Sequence, residues 1–166
     1  MANMSDAFGN ITIYAASVDV LIDLIQCHLK YEEGAYYSTS LDLFDVSPEN
    51  RDEIIKIVEE NYELDFNTHD AKLVSDFTAT GRWSFKSNIG WFFNCLTEDY
   101  SKYPNIEEAQ SRAKATDITV VFDFTDGESG SDFIQYGEVS FNWDAKNQKQ
   151  VENSDTTETV SYTVQN

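Results

Sequence analysis

The stretch Ile118 to Phe124 (ITVVFDF), the turn Asp126 to Asp132 (DGESGSD) and Phe133 to Trp143 (FIQYGEVSFNW) decide the fold. Two runs of β-branched and aromatic residues separated by a Gly- and Ser-rich turn are the pattern of an antiparallel hairpin. A further β-like run, Thr156 to Val164, extends it to a three-strand C-terminal meander. Upstream the periodicity changes. Asn10 to Ala15 (NITIYA) predicts a strand, and Ser17 is placed to cap a helix whose apolar face is Val18, Leu21, Leu24, Ile25 and Leu29. Tyr36 to Phe44 alternates as a second strand, with Tyr37, Thr39, Leu41 and Leu43 on one side. Ser47 and Pro48 have the form of an N-cap and first helical residue, ahead of a stripe of Ile54, Ile55, Val58 and Tyr62.

Leu73 to Thr80 predicts a strand, with Gly81 as a joint before Arg82 to Phe85. Ile89 to Leu96 predicts a short buried helix, and Pro104 opens another with Ile106, Ala109 and Ala113 inward. Alternating strands and helices followed by a meander imply one α+β domain over residues 1–166. Its sheet is antiparallel and its helices lie mainly on one face. A chain of 166 residues is long enough to bury about two thirds of its unfolded surface in one core.

Charge is the second strong signal. Thirty Asp and Glu against 11 Lys and Arg give a net charge of −19, while 41% hydrophobic content and 14% aromatics separate this chain from acidic disordered tails. Residues Glu32 to Asp76 hold 13 acids against Arg51, Lys56 and Lys72, and Asp117 to Glu138 hold six acids and no base. Arg82 to Lys114 is nearly balanced. Such a field disfavours direct binding to DNA, RNA or anionic membranes and favours a basic partner. Met1 to Asn10 has no basic residue and no apolar run, so no signal peptide is expected, and Cys27 and Cys95 lack disulfide-framework spacing. A cytoplasmic protein is the expectation.

The acidic helix is the first candidate surface. Glu49, Asp52, Glu53, Glu59, Glu60 and Glu63 are expected on its outer face. A four-residue step advances ~6 Å along a helix, and two nucleotides of one DNA strand advance ~7 Å, so these carboxylates can imitate a run of phosphates. Asp42 and Asp45 flank them, and Glu32 and Glu33 lie among Tyr31, Tyr36 and Tyr37, which offer contact area at low entropic cost. Asp126, Glu128 and Asp132 form a second acidic block at the hairpin turn.

Other chemistries find weaker support. The turn acids fail the EF-hand pattern, because Thr125 occupies a ligand position and the closing Glu is missing. Gly127 to Ser131 fails the nucleophile-elbow pattern, since Ser131 stands at the last Gly position. Cys27, His28, His69 and Cys95 include no paired zinc spacing. Trp83, Phe85, Trp91, Phe92, Phe93, Tyr100 and Tyr103 are expected mostly in the core, and Arg82, Lys86 and Lys102 are too few for a single-strand groove. No catalytic residue, cofactor or metal is expected. Paired carboxylates for glycoside hydrolysis have no supporting spacing.

At Gly81 to Phe85 (GRWSF), followed by the segment through Trp91 and Leu96, the chain resembles the small YubB-type proteins with a ferredoxin-like domain. The opening strand and helix, and the DGESGSD turn leading to Phe141 to Asp144, follow a similar order. The resemblance implies an α+β fold and a phage, plasmid or other mobile-element origin, and implies no catalytic residue. Size and acidity are similar to those of inhibitors of RNA-guided nucleases and restriction enzymes. The expected function is a non-enzymatic DNA mimic that occupies a basic DNA- or PAM-binding groove of a host defence protein. The alternative is an acidic adaptor or accessory protein that binds through the less charged aromatic region from Arg82 to Tyr103.

Overall fold

A computed structural model of the chain describes residues 4–82, 84–128 and 133–161. Its frame is an antiparallel sheet in the order β2-β4-β1-β5-β6-β7. The strands are β1 (Met4–Ala15), β2 (Ser38–Leu41), β3 (Tyr62–Leu64), β4 (Ala71–Arg82), β5 (Ile118–Glu128), β6 (Phe133–Asp144), β7 (Lys149–Asp155) and β8 (Glu158–Ser161). β3 pairs with β4 beyond β2, and β8 pairs with β6 beyond β7. β1 is the centre. Its twelve residues are matched one for one by β4, from Met4 opposite Arg82 to Ala15 opposite Ala71, and β5 covers the other edge.

Alternation determines which face is covered. Ala7, Ile11, Ile13 and Ala15 of β1, Leu73, Phe77 and Ala79 of β4, and Val120, Phe122 and Phe124 of β5 are all buried. The residues between them face outward. A period-two pattern leaves one apolar face, and helices α1 (Val18–Gly34), α2 (Arg51–Asn61), α3 (Phe85–Ile89) and α4 (Pro104–Ala113), with the 3₁₀ helix Phe92–Leu96, supply its cover. Phe77, Phe85, Phe92, Phe122 and Phe124 interlock there, with Phe77 stacked on Phe85 at 5.2 Å and Phe122 edge-on to Phe77 at 5.5 Å. The expected α+β class, antiparallel sheet and one-sided helices are therefore present.

Local boundaries differ from expectation in instructive places. Ser17 does cap α1, its hydroxyl accepting from Val20 N–H at 3.3 Å. The second helix begins later than Ser47 and Pro48 implied, because Asn50 is the cap, its side chain accepting from Glu53 N–H. Ile54 and Val58 are buried as expected, whereas Ile55 is half-buried and Tyr62 lies in β3. The Ile89 to Leu96 helix is instead α3 followed by a 3₁₀ turn, and β4 runs through Gly81 without a joint. Of the expected final strand Thr156 to Val164, Glu158–Ser161 forms β8 and the stretch beyond Ser161 lies outside the described residues, while β7 is an additional strand that precedes it, both strands pairing with β6.

The helical layer is pinned by a charge. Asp23 of α1 is 1% exposed and takes two bonds from Arg112 of α4, Nε to Oδ2 and Nη2 to Oδ1, both at 3.0 Å. Arg51, first residue of α2, reaches Asp23 Oδ1 at 2.8 Å and Gln26 Oε1 at 2.6 Å. Gln26 in turn donates to the Pro48 carbonyl. A buried carboxylate needs such partners, since an uncompensated charge there is strongly unfavourable. Asp23→Ala should lower the urea-unfolding free energy by ~2 kcal/mol, below the figure for a fully buried pair because both arginines keep solvent access.

Gly9 shows how tightly β1 is held. Its φ is 155°, and a β carbon there would stand 1.9 Å from the Asp123 carbonyl oxygen. Gly9→Ala should therefore destabilise by ~3 kcal/mol in the same experiment, with Gly90→Ala, where nothing lies within 4 Å, as the near-neutral control.

Candidate functional site

The acids expected to contact a partner divide into three groups. Asp52, Glu53, Glu59 and Glu60 are exposed on α2, opposite the buried Ile54 and Val58, and Glu63 is exposed in β3 immediately after it, opposite Lys72 in register. Among the described residues, Asp52, Glu53, Glu59, Glu60 and Glu63 make no ion pair within 4 Å. Asp42 and Asp45 are exposed in the turn after β2. All of these carboxylates are exposed.

A second group is engaged internally. Glu49 precedes α2 and accepts from Lys30 at 2.8 Å and from Ser47 at 2.8 Å, and these bonds hold its carboxyl below the usual range. Glu33 shares Lys30 at 3.0 Å. Asp126 is a correction, because it is 2% exposed. It has the same strand parity as Phe122 and Phe124, and its Oδ2 accepts from the Phe85 N–H at 2.8 Å, which answers an orphan amide at the start of α3. Of its turn companions, Glu128 closes β5, and Asp132 lies outside the described residues.

Four of the 11 Lys and Arg are taken up in contacts of this kind. Lys30 serves Glu33 and Glu49, Arg51 and Arg112 serve Asp23, and Lys86 pairs with Asp155. Lys56 is exposed on α2 between Asp52 and Glu60, and Lys72 is opposite Glu63, but neither comes within 4 Å of these carboxylates among the described residues. A further acidic row escaped the sequence pattern: Asp76, Asn10, Asp123 and Glu138 are neighbours in register across β4, β1, β5 and β6. All four face away from the helices and are exposed, next to a row containing Phe8 (60% exposed) and Tyr136. Only strand register brings these residues together.

The third group lines a cavity of about 410 Å³ between the end of α1, β2 and the Trp91–Phe92 segment. Glu32, Tyr36 and Tyr37 belong to it, together with His28, Tyr31, Trp91 and Phe92. The expected tyrosines therefore divide: Tyr36 stands in solvent at 87% exposure, while Tyr37 is half-buried and meets it edge-on at 4.9 Å. His28 is buried, its ring 5.1 Å from Phe92, with Nε2 3.0 Å from the Thr39 carbonyl and 3.5 Å from Glu32 Oε2. Burial lowers His28 to about 4, against the opposing bond to Thr39, so the imidazole is neutral and its Nε2–H donates to that carbonyl. Burial raises Glu32 to about 7, partly offset by the Thr39 backbone.

The remaining candidates do not assemble. Cys27 and Cys95 are buried thiols, with burial pushing Cys27 up to about 12, and no group of three metal-ligating side chains occurs among the described residues. Phe85, Phe92, Phe93 and Tyr100 are core, whereas Trp91 and Tyr103 are exposed. Trp83 lies outside the described residues. Among those residues no helix is long and apolar enough to cross a membrane.

The two shifted groups oppose one another in pH. Between pH 4.5 and 6.5 folded Glu32 keeps its proton when the unfolded chain has released it, so stability falls as pH rises. Folded His28 binds its proton less readily than the unfolded chain over the same interval, so its contribution rises with pH. Glu32→Gln removes the first effect. The variant's unfolding free energy should climb across that interval more steeply than the wild type's, by ~1.4 kcal/mol per pH unit. Identical slopes would mean that Glu32 ionises at an ordinary carboxylate pH.

Comparison with protein-family models, with curated proteins and with solved structures finds no match for this chain.

Proposed function

We propose that this protein is a non-enzymatic inhibitor that presents carboxylates in place of phosphates to the basic groove of a nucleic-acid-targeting defence protein, such as an RNA-guided nuclease or a restriction enzyme. The observation that carries this proposal is the acidic surface Asp52, Glu53, Glu59, Glu60 and Glu63, without an ion pair within 4 Å among the described residues, on a chain of net charge −19 whose Lys30, Arg51, Lys86 and Arg112 are engaged elsewhere. A groove built to hold DNA has Lys and Arg at phosphate spacing, and carboxylates accept the same charge-assisted hydrogen bonds. Asp42, Asp45 and the exposed Tyr36 extend the contact surface. A mobile-element origin, in keeping with the YubB-like sequence pattern, and action in the cytoplasm of the host cell fit this role.

The adaptor alternative depends on an apolar contact surface between Arg82 and Tyr103. Phe85, Phe92, Phe93 and Tyr100 are buried, which among the described residues leaves Trp91 and Tyr103 as large exposed apolar groups on that stretch and disfavours the alternative. The decisive experiment is DNA-binding competition on a panel of RNA-guided nucleases and restriction enzymes at low and high salt. One effector should lose DNA binding in the presence of this protein, and the inhibition should be relieved as ionic strength rises. The combined charge reversal Glu53→Lys, Glu59→Lys, Glu60→Lys and Glu63→Lys should abolish it. Full inhibition by that variant would overturn the proposal.

A further inference from the structure

The wall of the cavity beside α1 includes Glu32, one of whose carboxylate oxygens has nothing to bond among the described residues. Glu32 Oε1 is shut off from solvent and has no hydrogen-bond partner among the described residues, while Oε2 faces His28. His28 cannot complete the pair, because its Nε2–H is directed at the Thr39 carbonyl. Native structures retain few buried polar atoms in this condition, since the desolvation is uncompensated. The Glu32 side chain remains 17% exposed, and rotation about its terminal bond is soft, so the oxygen can be turned toward the cavity.

The walls specify what can meet it. Tyr31, Tyr36, Tyr37, Trp91 and Phe92 surround the space, and Tyr36 and Trp91, 87% and 57% exposed, stand at its mouth. Aromatic faces attract cations, most strongly at Trp and Tyr. A net charge of −19 repels anions, and a neutral apolar guest would leave Oε1 unanswered. A single carboxylate is a poor metal site. A planar cation with two parallel N–H donors suits both the carboxylate and the aromatic walls, and it is less strongly hydrated than an ammonium. The cavity volume falls within the range of small-ligand sites.

We propose that this cavity binds an amidinium or guanidinium group, its N–H donors on Glu32 and its flat face against Tyr36, Tyr37 or Trp91. The group can belong to a free small molecule or to an arginine side chain of a protein, and the site exists whether or not the acidic α2 surface engages a partner.

The test is a calorimetric titration of the full chain with benzamidine at about pH 8, where Glu32 is ionised, with benzamide as the neutral isostere. Saturable binding with a Kd of ~1 mM or tighter is expected, with benzamide and the Glu32→Gln variant each weakening it ~10-fold or more. Trp91→Ala, at an exposed position, should weaken it several-fold, and Glu107→Gln, on exposed α4 surface, should leave it unchanged. A capped Gly-Arg-Gly peptide is the second arm. Tighter binding than benzamidine assigns the natural group to a protein, and weaker binding assigns it to a small molecule. Absence of saturable binding, equal binding of benzamide, or an unaffected Glu32→Gln variant would overturn the proposal.

Discussion

The pairing of β1 between β4 and β5, with only one of its faces buried, is the constraint on which the rest of the molecule depends. Once Ile11, Ile13, Leu73, Phe77, Phe122 and Phe124 share a side, the helices must cover that side and every intervening residue must face water. The same parity that buries Phe122 and Phe124 buries Asp126, and it places Asp76, Asp123 and Glu138 outside. A one-residue slip in β5 would exchange the two sets, bringing Asp123 into the core. Gly9 supports this register from the backbone, because its missing side chain leaves room for the Asp123 carbonyl.

The helical cover is held by polar contacts as well as by packing. Asp23 joins α1, α2 and α4 through two arginines, Gln110 donates from α4 to the Cys95 and Glu98 carbonyls, and Trp143 of β6 donates to the Lys114 carbonyl. These bonds do not merely add to hydrophobic burial. They specify one arrangement of short helices that apolar packing alone would leave less defined, since replacement of any one partner strands a buried group. The cost is that two cations of a strongly acidic chain are directed inward.

The class and most elements were legible because their signals are local. Ser17 as a cap, Pro104 at the start of α4 and the alternation of Ile118 to Phe124 depend on neighbours within a few residues. Pro48 misled because it resembles a first helical residue, while Asn50, two positions later, has the side chain that bonds the helix amide. Asp23 and Arg112 are separated by 89 positions, and nothing in either neighbourhood announces their pairing. Asp126 could have been placed correctly by continuing the Val120, Phe122, Phe124 parity for one more step; its position in an acidic turn suggested a surface instead. Glu32 stands four residues after His28 and three after Leu29, on the buried side of α1, and that spacing was the available signal for the cavity.

The distribution of charge has a physical cost. A small domain is kept soluble by a net charge of about 2–8 in magnitude, and the excess up to −19 adds self-repulsion to the folded state. Asp123 lies directly opposite Glu138 on neighbouring strands, an arrangement that is unfavourable in a sheet. Lys30 and Lys86 form ion pairs that relieve repulsion at the end of α1 and at β7, whereas Lys56 on α2 makes no ion pair within 4 Å among the described residues. Repulsion is thus relieved by ion pairs at the junctions between elements and by water and salt where the surface is open. A fold that tolerates this has its field directed outward, where any added positive charge, from a salt counterion to a basic group, lowers its energy.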